Sequence, residues 1–144
     1  MIGDDDGPEL EAGADVEIRF PEIGGELSAE DREAFGVYLI EAVKGGYLEQ
    51  VQSLIAAGVN VNYRDRLMGA TALHYAAAYR FHSALVCLIR SGRCDYLIQD
   101  KRGMYPSEVA YEIADDPRVG AILVKKEARQ AHKIGMGLWP TEGK

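Results

Sequence analysis

Gly69-Ala70-Thr71-Ala72-Leu73-His74-Tyr75-Ala76-Ala77 is the stretch whose reading decides the fold. A glycine closes a turn that begins at Asp65, in Asp65-Arg66-Leu67-Met68-Gly69. Thr71 follows, and a threonine at a helix start accepts a hydrogen bond from a free backbone N–H through its hydroxyl. The small pair Ala76-Ala77 lets a neighbouring helix approach closely.

The rest of the chain repeats this block. Ala42, Ala76 and Ala110 stand 34 residues apart, as do Gly58 and Gly92, and Gly69 and Gly103. Leu54-Ile55 returns as Leu88-Ile89, Val51 as Leu85, and Val119 with Ile122-Leu123 is expected to continue the series. Leu48, Val51, Leu54 and Ile55 follow helical spacing and predict one apolar stripe.

With Thr71-Ala72-Leu73-His74 after a glycine turn, the block resembles the T-P-L-H-x-A opening of an ankyrin repeat, a β-turn plus two helices of about 33 residues. The resemblance implies an all-α solenoid of about three helix-turn-helix units joined by β-turns. Their expected spans are 34–64, 65–99 and 100–134, within a repeat domain at 28–134. The Asp65–Gly69 turn is one residue longer than the family's D-x-x-G. In the family the histidine equivalent to His74 bonds toward the turn and ties neighbouring units.

Both outer units depart from the pattern and are expected to act as caps. The first has Val37-Tyr38-Leu39-Ile40 for T-P-L-H and Phe35 for the turn glycine. The third keeps Asp100-Lys101-Arg102-Gly103 but has Ser107 and Glu108 where the family has Leu and His, which suits a polar outer face. Ser28-Ala29-Glu30-Asp31 is a capping sequence and predicts a first helix from Ala29 to Lys44. Gly45-Gly46, Gly58 and Gly92 are expected at helix ends, where a positive φ favours glycine. Arg80 stands where the family has a left-handed glycine, which predicts local strain, and Asp115-Asp116-Pro117 predicts the last inter-helix turn.

The net charge of −7 is unevenly spread. Residues 1–27 hold nine acids and one base, so this stretch is expected to be an acidic, largely disordered tail. Within it Val16-Glu17-Ile18-Arg19-Phe20-Pro21 alternates like an extended segment, either covering the first unit or docking on a partner. Residues 135–144 form a C-terminal tail with the single tryptophan, Trp139, either folded back on the last helix or exposed as an anchor.

Chemistry is sparse. His74, His82 and His132 with Cys87 and Cys94 lack the spacing of a zinc site. No nucleophile elbow, Walker loop or dinucleotide fingerprint occurs. The expectation is a non-enzyme with no cofactor and no metal. The opening Met1-Ile2-Gly3-Asp4-Asp5-Asp6 does not read as a signal peptide, and no stretch approaches the roughly 20 apolar residues of a membrane span. With two cysteines outside any disulfide framework, a cytoplasmic location is expected.

The resemblance implies binding of another protein through the concave face, at the turn tips and the outward side of each first helix. The positions carried over are Arg64, Arg66, Leu67, Met68, Tyr79, Lys101, Arg102 and Met104, a mixture of bases with apolar and aromatic groups. Such a set suits an acidic protein segment with an apolar anchor. Lys44, Ala70, Ala78, Gln99, Glu112 and Ile113 join them as variable positions. No nucleic acid and no membrane is expected as partner, and the oligomeric state is open. The alternative is an inhibitor or immunity-type protein whose acidic tail occupies a basic cleft of an enzyme.

Overall fold

A computed structural model describes residues 27–135. The expectations for the acidic tail, for Val16–Pro21 and for Trp139 fall outside the described residues. Among those residues the structure is helical, with no strand. Helix α1 spans Ala29–Ala34, α2 Gly36–Gly45, α3 Leu48–Ala56, α4 Ala72–Ala78 and α5 His82–Arg90. Helix α6, Pro106–Glu108, runs straight into a π-helical segment, Val109–Ile113, and α7 spans Pro117–Lys133.

Three antiparallel pairs result: α2 with α3, α4 with α5, and α6 plus the π segment with α7. The first helices stack in one row, the second helices α3 and α5 in another, and the core lies between. Ala42, Ala76 and Ala110 are fully buried at the centre of the first row, flanked by Leu39, Leu73 and Val109. Val51, Leu54, Leu85, Leu88 and Leu123 close it from the second row.

The expected single helix from Ala29 to Lys44 is instead two helices broken at Phe35. Ser28 caps α1 through the Asp31 N–H, as its sequence predicts. Gly36 opens α2 so close to Tyr63 that a Cβ there would overlap it. Phe35 then meets Tyr38 edge-on, with ring centroids 5.7 Å apart.

The 34-residue register fails by one in the last pair. Tyr47 N–H bonds to Ala42 O and Phe81 N–H to Ala76 O, each spanning five residues. The equivalent bond runs from Asp116 N–H to Ala110 O and spans six. The extra residue is absorbed in the π segment, where Ala114 N–H bonds to Val109 O. Beyond it equivalent positions are 35 apart, so Leu88 corresponds to Leu123, not Ile122. Leu123 is buried, while Ile122 is 46% exposed, contrary to the expected burial of both. Arg80 (φ 57) and Asp115 (φ 53) are the matching left-handed turn residues. Arg80 is strained as expected, but its guanidinium donates to Ala114 O at 3.0 Å, across to the next turn. At the other expected helix ends Gly46, Gly58 and Gly92 are left-handed, whereas Gly45 is helical.

Ser107 overturns the idea of a polar outer face at that position. It occupies the place of Leu73, is buried, and donates its hydroxyl to the buried Glu127 of α7. Burial pushes the Glu127 carboxyl above its ordinary pKa, the Ser107 bond opposes this, and the Glu108 charge adds to it. A raised folded-state pKa makes the ionised form a cost that is present at neutral pH and vanishes below the unfolded value. Glu127→Gln is therefore expected to stabilise the protein at pH 7 by about 0.5–2 kcal/mol, the range of single stabilising changes. In urea unfolding at a series of pH values the gain should shrink toward zero near pH 4; a gain that grows on acidification would contradict this assignment.

Candidate functional site

The candidate surface is built on the Asp65–Gly69 turn and the exposed side of α2 and α4. Asp65 organises the turn. Its carboxylate accepts from Met68 N–H at 3.0 Å, Ala70 N–H at 3.1 Å and the Tyr75 hydroxyl. Burial disfavours its charge, but these donors outweigh burial and hold its pKa below the ordinary aspartate value. Asp100 does the same in the next turn, accepting from Arg102 and Met104 N–H and from the Arg102 guanidinium.

His74 locks the two turns together. Its Nδ1 accepts from Thr71 N–H at 3.1 Å, which leaves the proton on Nε2, and Nε2 donates to Met104 O at 3.0 Å. Burial holds its pKa below the ordinary histidine value and keeps it neutral. Glu108, which replaces this histidine one unit on, makes the same backward reach by accepting from Tyr105 N–H at 2.8 Å.

The eight carried-over positions divide into two groups. Arg64, Lys101 and Arg102 are committed to the fold itself. Arg64 donates to Gly69 O at 3.0 Å and Gln99 O at 2.9 Å, bridging two units. Lys101 donates to Arg66 O at 2.5 Å, and Arg102 grips Asp100 at 2.6 Å. Met104 packs half-buried against the core, Met68 is half-buried, and Ala70 is buried rather than presented. Arg66, Leu67 and Tyr79 project outward, with Leu67 75% and Tyr79 52% exposed.

Tyr79 ends α4 and borders a notch of about 310 Å³ over Gly45-Gly46, whose far side is Lys44. The Lys44 ammonium lies 5.3 Å from the centre of the Tyr75 ring, and Tyr75 and Tyr79 are 6.1 Å apart. Tyr75, absent from the sequence-based set, thus links the turn to the notch. It is half-buried, with its hydroxyl on Asp65 and its ring under the Lys44 ammonium. Among the described residues no group of three His, Cys, Asp or Glu could hold a metal, and no helix is long and apolar enough to cross a membrane.

Residues 39–89 match the family model described as ankyrin repeats (many copies), and the same stacked-pair geometry continues through the third pair. The match supports an ankyrin repeat family for this stack. Ankyrin repeats are generally protein–protein interaction modules and typically non-catalytic. No curated protein matches the chain.

The two groups of bases should separate in stability measurements. Hydrogen bonds to a charged group contribute about 1.5–3 kcal/mol when dry, and less when solvent reaches them. Arg64→Ala is expected to cost about 1–2 kcal/mol, because it strips two carbonyl bonds. Arg66→Ala should stay within about 0.5 kcal/mol of wild type. Urea midpoints decide this, and equal losses would show that Arg66 is also built into the turn.

Proposed function

We propose that this chain is a non-catalytic binding module that recognises another protein through the concave face of its ankyrin stack. The observation that carries the reading is the exposure of Tyr79 and Leu67 beside Arg66 and the Lys44 notch. Large apolar side chains cost solvation when left in water, and tyrosine and arginine are enriched among residues that dominate binding energy. The Lys44 and Arg66 charges favour a partner segment that carries acids around an apolar anchor. Free Cys87 and Cys94 support placing this function in the reducing cytoplasm.

The test is capture of partners by full-length wild type and by a Leu67→Asp, Tyr79→Ala variant, with identification by mass spectrometry. A protein held by wild type should be lost by the variant, with a fall in affinity of at least tenfold in a titration of the purified pair. Arg102→Ala should bind nearly as well as wild type, since its guanidinium is already held by Asp100. If the Leu67, Tyr79 variant folds and keeps the partner at full affinity, the concave face is not the binding surface.

A further inference from the structure

A second groove lies away from the proposed concave site, between the exit of α5 and the face of α7. It has a volume of about 250 Å³. Ile89, Cys94 and Tyr96 line it on one side, and Lys126, Arg129 and Lys133 on the other. The three cations sit at i, i+3 and i+7, so they form one stripe of α7. Among the described residues none of them makes an ion pair. The helix dipole accounts for a base in the last turn, such as Lys133, but its field fades before Lys126.

The repeat supplies an internal comparison. One unit earlier the equivalent groove is lined by Ile55, Cys87 and Ser91, with Arg90 its only cation. Ile55 corresponds to Ile89, but Ser91 corresponds to Lys126 once the inserted residue is counted. The charge is therefore specific to the second groove and is not a requirement of stacking.

We propose that this groove binds an acidic peptide segment of a partner protein. Its carboxylates would lie on Lys126, Arg129 and Lys133, and one apolar side chain would enter against Ile89 and Tyr96. Charge complementarity selects the acids: among the described residues three cations without an ion pair face the groove, and no carboxylate lines it. The apolar side of the groove argues against phosphate backbone, for which charge alone would suffice.

The test uses the full chain and a fluorescein-labelled dodecapeptide of alternating Glu and Leu, read by anisotropy. Binding is expected to weaken at least tenfold when Leu is replaced by Ala in the peptide, and at least tenfold in a Lys126→Glu, Arg129→Glu, Lys133→Glu variant. Circular dichroism should show that variant folded, and Lys126→Ala alone offers a milder check with a several-fold loss. The losses should be the same when they are read in the Leu67→Asp, Tyr79→Ala background, which removes any binding of the peptide at the concave face. The proposal is overturned if wild type does not bind the peptide, or if the charge-reversed chain binds it equally. It is also overturned if a single-stranded DNA dodecamer binds as well while the Leu-to-Ala change has no effect. Carbodiimide coupling followed by mass spectrometry adds a last arm. Coupling of Lys126 or Lys133 to the added peptide supports the proposal, and coupling to the chain's own residues 1–26 overturns it.

Discussion

Close approach of the first helices is the constraint on which the rest of the structure depends. A helix pair of this size cannot bury its apolar stripe alone, and only the neighbouring pair can complete the core. Ala42, Ala76 and Ala110 sit at the centre of that row and are fully buried. A larger side chain there would force the rows apart and open the core beneath them. The polar ties between units follow from that spacing. His74 to Met104 O, Arg64 to Gln99 O, Arg80 to Ala114 O and Gln130 to Asp95 each span about one repeat.

The inserted residue in the third pair shows how firmly the row is held. An extra residue in a helix rotates everything after it by about 100° unless the backbone absorbs it. Here Ala110 keeps its place in the row, and α7 keeps Leu123 in the core. The π segment between them takes up the difference. Its cost is local: Tyr111, Glu112 and Ile113 are exposed, and Arg80 reaches across to the carbonyl at the segment's exit. His82 meets Asp116 beside this exit at 2.7 Å, and that bond chiefly holds the Asp116 carboxyl below its ordinary pKa. The turn thus gains two ties from the preceding unit where its own helix is least regular.

The stack was legible in the sequence because its determinants are local and periodic. Gly58, Gly92 and the Ala42–Ala76–Ala110 series announce the units without any tertiary information. The π segment was not legible, since a shift of one residue moves Ile122 out and Leu123 in while both are apolar. Ser107 was misread because its meaning depends on Glu127, twenty residues on, which completes it inside the core. At the candidate surface, identity alone could not tell Arg66 from Arg64. Both are turn arginines, and only the position of Gly69 O and Gln99 O separates them.

That last contrast has a general physical cause. Carbonyls in a turn have no helical partner, so a long cation one repeat away finds an acceptor within reach. Arg64, Arg80 and Lys101 are all captured in this way, by Gln99, Ala114 and Arg66 carbonyls respectively. Carbonyls inside a helix are already spent on the N–H four residues on. A base on the outer face of α7 therefore meets no unsatisfied backbone and keeps its charge for solvent or a partner. In this stack the turn bases Arg64 and Lys101 are consumed by the fold, while Arg66 beside them stays exposed. Lys126 and Arg129, borne on α7, make no ion pair among the described residues.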